Sequence, residues 1–279
     1  VDTTKAMTTA AAMEISEDWI LIHDDFQDHS ERRRGKVALP ILKGDELAVN
    51  AGDHLHILMW RALLSNQKSL ESLPLTLEIA EEMGSILQTT CEGQYLDLSW
   101  MLRGEFIAER QYYEMVDRKT CWYTIIGPLR LGALVAGNGE ALGPLVKFGL
   151  PLGRAFQIHD DWLNVFSKDT GKEFGGDILE GKRTLLLIHL LEGLEKKGKK
   201  AEADRVRELF RMKRIQRTEE DVKHVVELYK EYGCNEWARG KALKYADEAR
   251  KALQKVPFTK KEYVRILDDA IDFLVNREL

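Results

Sequence analysis

The sequence predicts an all-α protein, and three observations carry that prediction. Long stretches place apolar residues at helical spacing, only 6 prolines interrupt 279 residues, and 44% of the residues are hydrophobic, enough for one sizeable core. The short alternating strands and frequent turn signals of a sandwich or barrel are missing.

From about Ala10 to His29, the apolar residues Ile15, Trp19, Ile20 and Ile22 precede an acidic cluster. That is the pattern of a buried helix whose C-terminal end meets solvent or a site. Arg32 to Lys36, with Gly35, breaks it. Asp45 to Leu64, opening after Gly44, and Leu70 to Leu102 read as long helices rich in Leu, Ile and Met. Phe106 to Gly137 continues the pattern with a kink expected at Gly127-Pro128, because proline removes a main-chain hydrogen bond and crowds the preceding turn. Gly143 to Phe166 is an apolar helix with a second acidic cluster, and Asp169 to Gly176 reads as a loop. Amphipathic helices over Leu179–Leu194, Ala201–Met212, Glu219–Tyr232, Asn235–Leu253 and Lys260–Asn276 complete the chain. The charged run Glu195 to Lys200 reads as a solvated turn. No repeat of fixed period and no low-complexity linker divides the sequence, so a single domain over 1–279 is expected.

The formal charge of -5 argues against a general nucleic-acid binder, which would show a basic balance. Cys91, Cys121 and Cys234 are far apart and odd in number, which suits a reducing cytoplasm without disulfides. No run approaches the roughly 18 apolar residues of a membrane span, and Val1 to Met13 lacks the order of a signal peptide. A soluble cytoplasmic protein is expected.

Chemistry concentrates in two acidic clusters. In His23-Asp24-Asp25-Phe26-Gln27-Asp28, Asp24 and Asp28 are four residues apart, so a helix puts both carboxylates on one face. Like charges there destabilise a helix by a few tenths of a kcal/mol, which a cation would relieve. Hard oxygen ligands on a fixed face suit Mg²⁺, which takes one or two carboxylates and fills its shell with water and phosphate oxygens. Alone, the same pattern serves an ordinary solvated helix end. The second cluster, Phe156-Gln157-Ile158-His159-Asp160-Asp161-Trp162-Leu163-Asn164, sits inside an apolar helix and can face the first across a bundle. Neither has the offsets of a calcium-binding EF-hand loop, and the paired Glu-x-x-His helices of a di-iron site are absent.

Cations for an opposite wall occur in short contexts: Arg32-Arg33-Arg34-Gly35, Arg118-Lys119-Thr120, Gly171-Lys172 and Gly181-Lys182-Arg183-Thr184. Arginine offers phosphate a planar fork, lysine a mobile point charge. Each context alone also fits solvated surface. The last shares letters with a P-loop but lacks its upstream glycine and strand.

In their order and spacing these motifs resemble the trans-isoprenyl (polyprenyl) diphosphate synthase family along nearly the whole chain. The family hallmark DDxxD followed by Arg-Arg-Gly is matched by Asp24-Asp25-Phe26-Gln27-Asp28 and Arg33-Arg34-Gly35. Further matches are Ala51-Gly52-Asp53, Glu92-Gly93-Gln94 with Asp97, Lys119-Thr120, Phe156-Gln157 before Asp160-Asp161, and Gly171-Lys172 through Gly176-Asp177-Ile178 to Gly181-Lys182-Arg183-Thr184.

The resemblance implies a bundle of mostly antiparallel helices around a deep central cavity, the isoprenoid synthase type I fold, usually as a homodimer. It implies a short-chain enzyme that joins an allylic diphosphate to isopentenyl diphosphate and gives a C15 or C20 all-trans product. Asp24, Asp28 and Asp160 then look like ligands of Mg²⁺, three ions with the bound diphosphate, supported by Asp25 and Asp161. Arg33, Lys119, Lys172 and Lys182 look like partners of the allylic diphosphate and Arg34 of isopentenyl diphosphate, with Gln94 also at the substrate. Thr120 and Gln157 are placed to stabilise a carbocation. Trp19 and Ile20 lie about one helical turn before Asp24, toward the cavity floor. A bulky indole there would stop a growing tail early, although Trp19 also suits an ordinary core position.

Three departures accompany the match. Only 23 residues precede Asp24, so the family's upstream Gly-Gly-Lys-Arg-x-Arg-Pro segment and usual N-terminal helices are lacking from 1–279. Either a stretch precedes Val1 or the second-substrate site differs. Val37 and Pro40 stand at the usual proline and histidine positions, and Asn164 replaces the last aspartate of the second cluster. A class I terpene cyclase-like diphosphate lyase is one alternative, but the Gly-Lys-rich segment after Asp161 speaks against it. A non-catalytic partner subunit of a prenyl synthase is another, but it would be expected to lose one aspartate cluster.

Overall fold

The computed structural model describes residues 3–167, 174–258 and 260–276. Among them, regular structure is helical except for a hairpin of two-residue strands, β1 (Arg32–Arg33) and β2 (Lys36–Val37), which pair antiparallel around Arg34-Gly35. Helix α1 (Met7–Asp28) starts before the predicted Ala10 and stops at His29, whose left-handed φ of 54° ends it. A short α2 (Leu39–Lys43) leads to α3 (Asp45–Leu64), which keeps its predicted bounds because Gly44 precedes it and Asp45 and Glu46 complement its N-terminal dipole. The helix predicted from Leu70 is two pieces, α4 (Asn66–Leu70) and α5 (Leu73–Leu102). Glu71 is left-handed between them, and the Ser72 side chain accepts from the Leu75 N–H to begin α5 afresh.

The stretch predicted as one helix over Phe106 to Gly137 is α6 (Glu109–Val116), a π-helical segment (Asp117–Ile126) and α7 (Gly127–Val135). The irregularity therefore starts at Asp117, and Pro128 sits harmlessly in the first turn of α7. Helix α8 (Leu142–Phe166) follows.

The predicted helix Leu179–Leu194 is corrected to α9 (Gly176–Glu180) and α10 (Leu185–Lys196). Gly181, at φ +78°, turns the chain, and Thr184 restarts it by accepting the Leu187 N–H. Helices α11 (Lys200–Arg211), α12 (Glu219–Glu231), α13 (Cys234–Leu253) and α14 (Lys261–Asn276) complete the order.

Helix α1 packs along α3, α8 along α13, and the π segment between α5 and α8. One buried apolar cluster joins α6, α8 and α10–α13, and a second, including Ala12, Met59, Ile79, Met83 and Leu131, joins α1, α3, α5 and α7. The site lies between these two clusters. No helix among the described residues is long and apolar enough to cross a membrane.

Candidate active site

The end of α1, the middle of α8, the π segment and the turn after α9 converge on one cleft of about 230 Å³. It is lined by Asp24, Asp28, Lys119, Thr120, Gln157, Asp160, Asp161 and Lys182, so the two acidic clusters face each other as predicted. A larger cavity of about 820 Å³ shares Asp24, Arg33, Lys119, Thr120, Gln157 and Asp160 with it. That cavity runs along α1 past Trp19, Ile20, Met13 and Ala10 to Ala6, with Leu131 and Val135 of α7 opposite.

Local packing explains why Lys119 and Thr120 stand where they do. The π segment is squeezed between two glycines: a Cβ on Gly93 of α5 would lie 2.2 Å from the Lys119 main-chain nitrogen, and one on Gly153 of α8 would lie 2.5 Å from Cys121 Sγ. Its first turn is anchored where Arg154 donates to both oxygens of Asp117 at 2.7 and 2.6 Å. Widened turns of this kind recur at functional sites.

Arg33, Lys119 and Lys182 each face a carboxylate in the cleft, whereas Arg183, which also lines it, donates to the main-chain carbonyls of Glu105, Gly181 and Phe210. Arg33 donates to Asp25 at 2.6 and 2.9 Å and to Asp24 at 3.1 Å. Lys182 donates to Asp28 at 2.5 Å. Buried Asp97 of α5 accepts from Lys119 at 2.7 Å and lies 3.5 Å from Lys182. Burial pushes the Asp97 carboxyl up, but the two ammonium groups outweigh burial and hold it below its usual value. Asp28 goes the other way: burial outweighs Lys182 and raises it.

The two members of each aspartate pair are not equivalent. Asp25 and Asp161 are 3% and 5% exposed, whereas Asp24 and Asp160 line both cavities. Asp161 has both oxygens bonded, accepting from Gln157 Nε2 at 2.8 Å and from the Tyr112 hydroxyl at 2.8 Å. Burial outweighs those bonds and raises its carboxyl to about 6. The Thr120 hydroxyl in turn donates to Gln157 Oε1 at 2.6 Å, so Thr120, Gln157, Asp161 and Tyr112 form one chain.

Asp24, Asp28 and Asp160 could hold a divalent cation. Asp28 Oδ1 is buried and lacks a hydrogen-bond partner, as an oxygen awaiting a ligand would. Among the described residues no three acid, imidazole or thiol side chains close on one point. Hard carboxylate oxygens suit Mg²⁺, which takes one or two of them and leaves most of its shell to water and phosphate.

Gln94 donates to Asp24 at 3.2 Å and to Gln27 at 2.7 Å, at the rim. Arg34 stands apart from the cleft: it reaches back to Glu17 at 2.5 Å and lines the larger cavity only. Lys172 lies outside the described residues. Sequence reasoning assigned no role to Asp97, Tyr112 or Glu180, all of which line the cleft. Glu180 accepts from Ser30 at 3.2 Å, and burial raises its carboxyl to about 7. Its one signal was an acid set directly before Gly181-Lys182.

The polyprenyl synthetase family pattern matches residues 1–229. The chain belongs to the polyprenyl synthetase family. It is a prenyl diphosphate synthase, a transferase, and neither the cyclase nor the partner-subunit alternative is favoured. A short chain isoprenyl diphosphate synthase of Methanothermobacter thermautotrophicus is 33% identical over 98% of this chain and 80% of its own length. A geranylgeranyl pyrophosphate synthase of Geoglobus acetivorans is 30% identical over 99% of this chain and 82% of its own. Among solved structures, a geranylgeranyl pyrophosphate synthase from Corynebacterium glutamicum, complexed with isoprenyl diphosphate and magnesium, has a TM-score of 0.88 at 26% identity, covering 98% of this chain and 79% of that one. A polyprenyl synthase from Caulobacter crescentus, complexed with calcium and isoprenyl diphosphate, has a TM-score of 0.85 at 29% identity over 100% of this chain and 80% of that one. Both show the all-α isoprenoid synthase fold expected from the sequence.

Proposed function

We propose that this synthase condenses an allylic diphosphate with isopentenyl diphosphate, with Mg²⁺, to a C15 or C20 all-trans prenyl diphosphate. The observation that carries the proposal is the junction of a charged cleft, with acids and cations on facing walls, to an 820 Å³ cavity able to take a hydrocarbon tail. Arg33, Lys119 and Lys182, with Lys172, bind the allylic diphosphate by leaving their carboxylate partners for phosphate oxygens. Asp24, Asp28 and Asp160 would hold Mg²⁺, which when bound would supply positive charge to offset that of the leaving group. The allylic C–O bond then breaks toward a pyrophosphate already surrounded by cations.

Gln157 Oε1 and the Thr120 hydroxyl lie at the head of the apolar cavity, where their oxygens stabilise the allylic cation. Asp161 and Tyr112 hold the Gln157 amide in that orientation. The terminal alkene carbon of isopentenyl diphosphate, which Arg34 and Gln94 help to bind, forms the new C–C bond. That leaves the positive charge on the inner alkene carbon, and a proton lost from the methylene beside it passes to the released pyrophosphate, so no protein nucleophile is used. Trp19 and Ile20 narrow the cavity one turn below Asp24 and limit the tail.

The exposed apolar residues Leu47, Ile57 and Leu64 of α3, with Ile41 and Leu42 of α2, offer a face for a second copy, and a homodimer is the proposed state. A cytoplasmic location fits three free cysteines. The test incubates protein with Mg²⁺, labelled isopentenyl diphosphate and, separately, dimethylallyl, geranyl and farnesyl diphosphates. The expected result is a chain-extended diphosphate that disappears with EDTA. An allylic substrate that is only hydrolysed or cyclised would overturn the proposal.

A further inference from the structure

Two buried arginines, Arg183 and Arg217, flank the turn that carries Lys182, and they are 2% and 8% exposed. From consecutive positions Lys182 reaches into the cleft to Asp28, while Arg183 reaches the carbonyls of three segments. These are its own turn at Gly181, Glu105 ahead of α6 at 2.7 Å, and Phe210 of α11 at 3.2 Å. Arg217 donates to Leu179 of α9 and, at the end of α11, to Leu209, Phe210 and Met212 at 2.9, 3.0 and 2.6 Å. Every hydrogen bond that either guanidinium makes among the described residues therefore ends on a main-chain carbonyl.

The end of a helix explains why carbonyls suffice. The last carbonyls of α11 run short of helical donors, and the negative end of its dipole favours a cation. Phe210 accepts from both arginines. A planar fork can span carbonyls on different segments, which the point charge of an ammonium cannot. The Phe106 ring closes one side of Arg183, with its centroid 4.6 Å from the guanidinium carbon. Gly181 has a second task besides its turn: a Cβ there would stand 2.5 Å from Arg217 Nη2, so the guanidinium takes the space of a side chain. Burial and neighbouring positive charges lower both arginines to about 10, which leaves them charged at neutral pH.

We propose that Arg183 and Arg217 are positioning residues for diphosphate binding, acting through Lys182 by stapling its turn to the C-terminal end of α11. The inference rests on the reading of Lys182 as a partner of the allylic diphosphate. On that reading the Lys182 ammonium leaves Asp28 for phosphate, and its main chain must stay in place while the side chain swings. A turn ordered only on binding would subtract the cost of that ordering from the affinity. The staple orders it beforehand, in the folded chain.

The experiment measures binding of inorganic pyrophosphate with Mg²⁺ by titration calorimetry. It compares the parent, Arg183→Lys, Arg217→Lys, Lys182→Met and the two double variants that add a lysine replacement to Lys182→Met, with circular dichroism to verify each fold. Lysine keeps the stem and the charge but not the fork. Each lysine variant is expected to bind about tenfold more weakly, the loss of one charged hydrogen bond. Lys182→Met should weaken binding at least as much, and the double variants should match Lys182→Met alone. Parental affinity in either lysine variant would overturn the proposal. So would double variants in which the two losses add, because the arginines would then act by another route. Parental affinity in Lys182→Met would instead sink the Lys182 reading, a separate failure that takes the proposal with it. Hydrogen exchange in the parent needs no variant: the Gly181 and Lys182 amides, which donate to the Asp177 carbonyl at 3.0 and 2.9 Å, are expected to exchange slowly without ligand. Fast exchange that slows only when Mg²⁺ and pyrophosphate are added would overturn the proposal even if no variant folds.

Discussion

Adding one methyl group at Gly93 should disable the synthase without altering the side chain of any proposed ligand. The new Cβ would stand 2.2 Å from the Lys119 nitrogen, 2.7 Å from its Cα and 2.8 Å from the Arg118 carbonyl carbon. All three are main-chain atoms, so no side-chain rotation relieves the clash. Ordinary contact begins at 3.4 Å, so the π segment or α5 must move by about 1 Å. Retreat toward α8 is closed, because Cys121 already fills the space where Gly153 lacks a side chain. The displacement therefore falls on Lys119 and Thr120, moving them against Asp97 and Gln157.

A shift of about 1 Å at reacting groups costs on the order of 100-fold in rate, equivalent to about 2.7 kcal/mol of transition-state stabilisation. The overpacking itself should cost roughly 1–3 kcal/mol of stability. Steady-state kinetics with labelled isopentenyl diphosphate at saturating Mg²⁺ would read the first, and urea unfolding followed by circular dichroism the second. A folded Gly93→Ala protein whose kcat/KM stays within about tenfold of the parent would refute the view that this close approach positions the site.

Two further outcomes follow from the charges and thiols. Asp97→Asn leaves Lys119 and Lys182 facing each other without their shared carboxylate, and should cost about 3 kcal/mol near pH 7. The folded Asp97 carboxyl is held below its usual 3.8, so its contribution is complete above that pH and fades as pH falls through the lower folded value. Urea midpoints of parent and variant should accordingly converge on acidification below about pH 4, and a gap that stays constant would count against the assignment. Burial raises all three thiols, Cys121 well above its ordinary value and Cys234 to about 12, but only Cys91, on α5, is exposed to a reagent. Native protein treated with iodoacetamide at about pH 8 should carry the label at Cys91, and comparable labelling of Cys121 or Cys234 would contradict their burial.

Local signals were legible wherever a boundary is written in neighbouring residues. Asp45–Leu64 could be read to the residue because Gly44 and two acids mark its start. The turn at Gly181 was missed although Glu180-Gly181-Lys182-Arg183-Thr184 interrupts the apolar residues, because the apolar runs on either side read as one helix when only spacing is followed. The π segment was illegible for a different reason. What shapes it is Gly93 and Gly153, which are distant in sequence and meet it only in the folded chain. The facing aspartates could be foreseen from two motifs on apolar helices. The exchange of Asp97 between Lys119 and Lys182, and the bonding of Asp161 by Tyr112, belong to tertiary packing and had no local trace.

Lys182 is paired with Asp28, Lys119 with Asp97 and Arg33 with Asp24 and Asp25 before anything enters the cleft. On the proposed function, each pair must part when the ligands arrive, the acids turning to metal and the cations to phosphate. A metal ion alone would strand the lysines, and a diphosphate alone would strand the carboxylates. Either half-reaction breaks ion pairs that only the other half can replace. Metal and diphosphate are therefore thermodynamically linked, each raising the affinity for the other by the same factor, and the cleft behaves as a coincidence detector for the two.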